Sequence, residues 1–575
     1  MTESIKTLKQ LEDIKKAYLD AQEKYDYIVY VCGGAGCVAA KCDLVRTTLL
    51  AETEKAGIGG KVSVIQTGCM GTCAIGPVML VTPGNIFYTE LNAAKIKTIV
   101  SEHLVNGNVV EEYTFFDAAL QKHVPKMDDI NFFKKQVKIA LRNCGAMAYD
   151  DITAYIARDG YQAAYTALTE LSPQKVVDEV KASGLRGRGG AGFPTGIKWQ
   201  AAHDQKAEQK YMVCNADEGD PGAFMDRSIL DGDPHSVVEG MLLGGYAIGA
   251  SIGYIYIRAE YPVAIERIGE AIDQARKYGI LGKDIFGSGF DFDLEIRMGA
   301  GVYVCGEETA LMASIEGHRG EPRQKPPLPF QSGLFGCPTN INNVETLANI
   351  PAIVKNGGKW YAQYGIEDSK GTKVFALAGD VVMTGIVEVP IGMTMREIIF
   401  DICGGIPNGK KIKAVQSGGP SGGVVTEIDL DTPTDYKSLQ QLGAIMGSGI
   451  LIVMNEDTCM VDSARYFMEF TREESCGKCN ACRLGTKRML EILERIVDGE
   501  GEEGDVELLE ELCEVIANTS LCGLGQTAPN AVMSTIRYFR EEYDEHIRDG
   551  ICRAGVCFTD HDKKAYPQRL RGRVL

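Results

Sequence analysis

SGLRGRGGAGFPTGIKW, residues 183–199, contains Gly187-x-Gly189-x-x-Gly192. That pattern marks a dinucleotide-binding βαβ unit only where it follows a strand and opens a helix. Here the preceding segment, SPQKVVDEVKAS from Ser172, is helical in pattern, so its context argues against a standard dinucleotide fingerprint. The physical content of the loop survives without that label. Glycines let backbone N–H groups approach a phosphate or a flat ring, while Arg188 and Lys198 supply positive charge. Downstream, CNADEGDPGAFMDR (214–227) sets Asp217, Glu218 and Asp220 among turn residues, where no helical face explains them. Alone, that cluster would read as a solvated loop. It does not stand alone, because GVYVCGEETAL from Gly301, EPRQKPPLP from Glu321 and PTNINNVETL from Pro338 follow in order.

Further along, SCGKCNACRLG carries Cys476, Cys479 and Cys482, with Cys522 about forty residues later in SLCGLG. A C-x2-C-x2-C clip brings three thiolates round one face of a 4Fe–4S cluster, and Cys522 is the candidate fourth ligand. Zinc is the alternative, weakened because a triple clip with one distant partner is unusual for it. Near the N-terminus the strand YIVYVC runs into Cys32-x4-Cys37, and KVSVIQTGC runs into Cys69-x3-Cys73. Two cysteine pairs at strand ends suit a 2Fe–2S cluster, with zinc again the alternative and Cys42 a bystander. His546, Cys552 and Cys557, joined by Cys459, form a third set that suits a closed structural zinc. Its alternative is a pair of buried thiols with His546 capping a helix. No cysteine follows Cys557, so a partner is expected to supply any further cluster. Cys144, Cys214, Cys305, Cys337, Cys403 and Cys513 lack ligand spacing and read as small core residues.

At 575 residues the chain holds about four domains at roughly 150 residues each. Eighteen cysteines without an apolar leader point to a reducing, cytoplasmic setting. The apolar run Gly240–Ile257 carries no charge but is glycine-rich, and it reads as a buried helix followed by a strand, so no transmembrane segment is expected. A net charge of −18 disfavours nucleic acid.

Block by block, the motifs from the glycine loop onward resemble the NADH-oxidising flavoprotein subunit of respiratory complex I. The same module occurs in NAD-linked hydrogenases and formate dehydrogenases. The N-terminal cysteine pairs resemble the thioredoxin-like 2Fe–2S ferredoxin. A fusion of the two is most similar to the B subunit of multimeric, often electron-bifurcating, NAD-dependent hydrogenases. The resemblance implies a multidomain α/β chain. Its parts would be a thioredoxin-like 2Fe–2S domain (1–110), a Rossmann-like FMN- and NADH-binding domain (125–365), a β-grasp connecting domain (370–455), a helical 4Fe–4S bundle (456–550) and a tail with possible zinc ligands (551–575). Residues 101–130 are expected to be a charged, helix-rich linker.

By the same resemblance, FMN lies over Gly187, Arg188, Gly189 and Gly190, its phosphate near Lys198, Asn343 and Thr346. Asn215, Asp217 and Glu218 would bond the flavin, with Tyr303, Gly306, Glu307 and Asn342 completing the pocket. Phe193 would stack on the nucleotide, with Glu308 and Lys325 in contact. Glu218, Asp220 and Glu308 would stand nearest the chemistry. Two departures from the family pattern are Asp220, one methylene shorter than the usual glutamate, and Leu328 in place of an aromatic ring. The acidic cluster opposes a 2′-phosphate, favouring NAD over NADP. NADH gives a hydride and clusters take single electrons, so FMN is the required converter. The expected partners are a small 2Fe–2S subunit, a hydrogenase or other acceptor subunit, and ferredoxin. Three functions follow: a bifurcating complex, a plain NADH dehydrogenase (diaphorase) subunit, or a non-catalytic iron–sulfur scaffold. The intact glycine loop and Asn/Asp/Glu pocket argue against the last.

Overall fold

The strand Tyr27–Cys32 is the hub of the first domain. It pairs in parallel with Val62–Thr67 and antiparallel with Met79–Thr82, which hairpins onto Ile86–Tyr88. Val29 and Val31 alternate onto one face and are fully buried, as a period of two requires. Cys32 sits opposite Thr67, so both cysteine-bearing loops leave the sheet at the same end. The computed structural model describes residues 4–558; the tail residues 559–575 lie outside them.

Two boundaries differ from the sequence reading. The first helix, Leu8–Gln22, starts with a capping box between Thr7 and Gln10. Its one buried residue, Leu11, joins the core of the flavin domain with Ile5, and Lys15 pairs with Asp159. This helix therefore packs on the second domain, although it precedes the first. The linker is also not helix-rich past residue 105. It forms a small hairpin, Phe115–Asp117 with Lys122–Val124, and then a segment whose Ile139, Ala140 and Leu141 N–H groups donate to the buried Glu388 carboxylate at 2.8–2.9 Å.

The second domain centres on a four-stranded parallel sheet ordered Thr339–Asn343, Tyr211–Ala216, Ile252–Arg258, Asp293–Gly299. Helix Pro234–Ile248 is buried along nearly its whole length, so the long uncharged run is a core helix feeding the strand Ile252–Arg258. Among the described residues no helix is long and apolar enough to cross a membrane. Parallel strands put their carboxyl ends on one edge, where ligands of open α/β sheets bind.

The third unit is a five-stranded mixed sheet ordered Gly385–Pro390, Thr372–Gly379, Ile450–Asn455, Ile412–Ser417, Gly423–Thr426. A hairpin (Thr372–Gly379 with Gly385–Pro390) lies parallel to the last strand, the β-grasp arrangement. Lys373 and Glu345, both buried, pair at 2.5 Å and tie this sheet to the flavin domain. Four long helices follow, Met460–Glu473, Asn480–Val497, Asp505–Thr519 and Asn530–Asp544, with the short helix Gly523–Thr527 between the last two. Their apolar faces close one core, and the acidic run from Asp498 forms the exposed turn between the second and third.

Candidate redox site

The glycine loop leaves helix Pro173–Ser183, capped by Ser172, and enters helix Thr195–His203. It lies over the carboxyl edge of the parallel sheet. A Cβ on Gly189 would stand 3.0 Å from the Asn343 side chain, and one on Gly192 would stand 2.5 Å from the Tyr436 ring. Gly192 also has φ +62, which disfavours any side chain there. Arg188 N–H donates to Thr346 Oγ1 at 2.8 Å, and the Asn343 side chain accepts from Thr346 N–H, capping helix Val344–Asn356. A helix N-terminus beside a glycine loop is a phosphate cradle.

The Arg188 guanidinium, however, faces away from that cradle. It is buried and donates to the carbonyls of Thr372 and Lys370 and to Tyr361 Oη, pinning the loop to the β-grasp sheet. The Arg188 side chain is thus committed to protein partners, as its backbone N–H is to Thr346. Lys198 sits 3.6 Å from Glu308, which also pairs with Lys325 at 2.6 Å; Lys325 pairs with Glu307 at 2.9 Å. These four charges form one group, and Phe193 of the glycine loop is 54% exposed. Asn342 turns inward and accepts from the Trp199 indole N–H at 2.8 Å, so it supports the pocket from beneath.

The acidic loop divides its work. Asn215 donates to the Gly306 carbonyl at 2.9 Å, joining the strand end to the turn Tyr303–Gly306. Both Glu218 carboxylate oxygens accept backbone N–H groups, from Asp226 and Arg227, at 3.0 and 3.1 Å. Glu218 therefore caps helix Met225–Gly232 rather than facing a substrate. Ser448 donates to Asp220 at 2.5 Å, binding the acidic loop to the β-grasp domain. Asp217 Oδ2 and Asp220 Oδ1 are buried without a partner, as expected of acceptors awaiting a ligand's donors. Orphan acceptors, a capped helix N-terminus and loop glycines that admit close approach together fit a bound FMN.

Burial pushes the Asp217 carboxyl up to about 7; Arg258 opposes the rise, while Glu260 and Glu474 add to it. A raised carboxyl favours the folded state below its unfolded value near pH 4, and that contribution is lost as pH climbs through about 7. FMN-free protein is thus expected to lose stability between pH 4 and 7 more steeply than Asp217→Asn. The difference, on the order of a few kcal/mol, is read from denaturant midpoints across that range. Parallel pH profiles would refute it.

Two cysteine cages flank this pocket. Cys476, Cys479, Cys482 and Cys522 line one small cavity with Val304, Pro322, Leu521 and Leu524. Cys479 and Cys522 each sit at a helix N-cap and Cys482 in a first turn. Burial pushes the Cys482 thiol up to about 11, with repulsion from the other three cysteines adding to it. Four converging thiols need cationic iron to ionise together, so the cage fits a cluster. Val304 belongs to the turn Tyr303–Gly306, so a single turn separates the cage from the flavin pocket.

On the other side, the Cys32 thiol reaches those of Cys37 and Cys69, and Cys69 reaches Cys73. Gly34 and Gly76 allow this approach: a Cβ on either would press Cys69 or Cys37 at 2.9–3.0 Å. Cys42 is buried apart from these contacts, its thiol raised to about 11 by burial. Helix Met225–Gly232 spans about 12 Å from the flavin pocket to this cage. Its first turn meets Glu218 and Asn343, the Ser228 hydroxyl meets Cys69, and Gly232 packs on Gly68.

At the end of the described chain, Cys459, His546, Cys552 and Cys557 bring their ligand atoms within 4.8 Å of one another. His546 Nδ1 donates to the Glu542 carbonyl at 2.6 Å, which leaves Nε2 free toward Cys459 Sγ at 3.5 Å. Of the six cysteines read as core residues, five are buried and Cys337 is only partly so.

Sequence reasoning missed Tyr436, Ser448 and Asp226. The first two come from the β-grasp domain, whose loops cover the glycine loop: Tyr436 Oη donates to the Gly187 carbonyl at 2.9 Å, and Gly190 bridges Gly447. The domain is thus part of the pocket wall as well as a connecting unit. No local pattern marks either residue.

A flavin cradle between two cysteine cages defines a flavin- and iron–sulfur-dependent oxidoreductase subunit. Residues 180–352 match the Nuo51 FMN-binding domain, 462–546 the NADH-ubiquinone oxidoreductase-F iron-sulfur binding region, and 16–104 the thioredoxin-like [2Fe-2S] ferredoxin. The NADP-reducing hydrogenase subunit HndC of Solidesulfovibrio fructosivorans is 59% identical over 74% of this chain and 86% of its own. The F subunit of the NADH-quinone oxidoreductase of Escherichia coli (strain K12) is 44% identical over 68% and 89%. The crystal structure of an NAD+-reducing [NiFe]-hydrogenase in the H2-reduced state superposes with a TM-score of 0.65 at 27% identity, covering 98% of this chain and 94% of that one. The chain belongs to the family of NADH-quinone oxidoreductase F subunits, FMN-dependent NAD(P)H oxidoreductases, and carries a thioredoxin-like 2Fe–2S domain on its N-terminal side.

Proposed function

We propose that this chain exchanges hydride between NAD(H) and FMN and passes electrons singly to a 4Fe–4S cluster on Cys476, Cys479, Cys482 and Cys522 and to a 2Fe–2S cluster on Cys32, Cys37, Cys69 and Cys73. Its setting is a cytoplasmic, hydrogenase-type complex that bifurcates electrons. FMN, when bound, supplies the conversion between a two-electron hydride and single electrons. The residues orient and shield: Gly187–Gly190 and the Thr346 end of the helix hold phosphate and ring, while Asp217 and Asp220 accept flavin donors. Phe193 offers its exposed ring to the nucleotide. The Lys198–Glu308–Lys325 group offers it charge. The observation that carries the reading is that each cage is separated from the cradle by one element, a turn on one side and a short helix on the other. The hydrogenase setting is supported by the relative that is a subunit of an NADP-reducing hydrogenase and by the NAD+-reducing hydrogenase neighbour.

The test is anaerobic NADH titration of FMN-loaded protein, which should bleach the flavin and raise both cluster signals in electron paramagnetic resonance. Bifurcation is tested with the partner subunits present. Oxidation of H2 should reduce NAD+ and ferredoxin together, and neither when the other is left out. Independent reduction of NAD+ alone would favour the diaphorase reading.

The same reading assigns a structural zinc to Cys459, His546, Cys552 and Cys557, supported by a three-cysteine, one-histidine donor set with its histidine tautomer fixed. Elemental analysis should find about one zinc per chain, lost in Cys552→Ser together with a drop in melting temperature. Zinc-free protein that melts at the same temperature would exclude the site.

A further inference from the structure

Arg267, on helix Pro262–Lys277 of the flavin domain, belongs to no motif and to none of the sites described above. It is 5% exposed, far below what is usual for an arginine. Its Nη1 donates to the Asp231 carbonyl at 2.5 Å, at the end of the helix that joins the pocket to the cage. Its Nη2 crosses to the ferredoxin domain and donates to the Gly33 carbonyl at 3.0 Å, one residue after Cys32. The guanidinium carbon lies over the Tyr149 ring, 3.6 Å from its centroid. Gly33 itself is wedged: its N–H donates to Thr67 O, and a Cβ there would meet Gln66 and Thr67 at 3.0 Å. The Gly33 carbonyl therefore has a single fixed position, and a residue of another domain holds it.

We propose that Arg267 positions the ferredoxin-domain cluster against the flavin domain and, through its buried fixed charge, sets how fully NADH reduces that cluster. The inference rests on the reading that Cys32, Cys37, Cys69 and Cys73 hold a 2Fe–2S cluster. Reduction adds one electron, supplied by the flavin of this chain and ultimately by NADH, and makes the cluster one charge more negative with no bond made or lost. A guanidinium beside the loop stabilises the reduced form, strongly so away from water. Arg227 adds a second positive charge near Cys73, while Asp231 and Glu270 face Arg267 with acidic groups. Arg267 alone among these donates a hydrogen bond to the cysteine loop. Charge and position therefore act through one residue, and they can be separated.

The experiment uses the full FMN-loaded chain at a fixed NADH/NAD+ ratio under anaerobic conditions. It compares wild type with Arg267→Gln, which removes the charge and keeps one donor, and Arg267→Lys, which keeps the charge and loses the fork. The readout is the ratio of reduced to oxidised 2Fe–2S cluster by electron paramagnetic resonance, with the 4Fe–4S signal as internal reference. The ratio should fall about tenfold in Arg267→Gln and less than about threefold in Arg267→Lys. An unchanged ratio in Arg267→Gln with the cluster assembled overturns the inference, as does an equal fall in both variants. If Arg267→Gln fails to assemble the cluster, the same measurement on Tyr149→Leu decides: the charge remains, so the ratio should stay within about threefold of wild type. A larger fall there overturns the assignment to charge. Absence of any 2Fe–2S signal in wild type would instead sink the cluster assignment on which this rests.

Discussion

Cys479→Ser is expected to erase the 4Fe–4S signal while NADH still bleaches the flavin, and electron delivery to acceptor subunits should collapse by a factor of about a thousand or more. Cys479 lies at the start of helix Asn480–Val497, in a cage separated from the flavin cradle by the turn Tyr303–Gly306. Serine can occupy the cap position without disturbing the helix, and serine is itself a good N-cap. The loss should therefore be one of metal rather than of fold. Loss of flavin reduction in parallel would mean that the bundle and the pocket are one cooperative unit. A full complement of iron–sulfur signals in the variant would disprove the ligand assignment.

Gly187→Val is expected to empty the flavin site. Gly187 has no left-handed backbone requirement, and a Cβ there finds nothing nearer than the Phe193 carbonyl at 3.6 Å. The side chain has room in the ligand-free protein, so it fills the space reserved for the ligand. FMN content should drop by about tenfold or more and NADH-linked dye reduction with it, while the melting temperature of FMN-free protein shifts by no more than about 3 °C. Gly192→Val makes the contrast. Its Cβ would strike Tyr436 at 2.5 Å in a left-handed backbone, so that change should unfold as well as empty. Normal flavin content in Gly187→Val would move the cradle elsewhere.

Much of this architecture is legible in residues alone because its signals are local. Helix Pro173–Ser183 declares itself by the Ser172 cap, Pro at its first position and valines on one face. The cysteine clips are legible because ligand geometry forces close spacing, three thiolates within seven residues at Cys476–Cys482. The buried helix Pro234–Ile248 follows from an uncharged run that is too rich in glycine for a lipid-spanning one. Where the reading went astray, tertiary contacts outvoted proximity in the chain. Leu8–Gln22 abandons the domain beside it because its few apolar residues complete the flavin-domain core. Arg188, placed by its motif on the flavin, points the other way because a guanidinium near buried carbonyls is better satisfied there than in the cradle. Glu218 looks catalytic in a row of acids, yet both its oxygens close the first turn of a helix.

Residue order alone marks the candidate ligands, since thiolate spacing, loop glycines and clustered carboxyls are properties of short segments, while the choice between iron and zinc stays open there. It also settles the order of the domains. How those sites face one another is a matter of packing in three dimensions. Helix Met225–Gly232 and the turn Tyr303–Gly306 become connections because other domains pack against their far sides. Tyr436, Ser448 and Arg267 acquire roles because each reaches a partner hundreds of residues away. Contacts of that separation are fixed by how cores pack and buried polar groups find partners, and no local pattern carries that information.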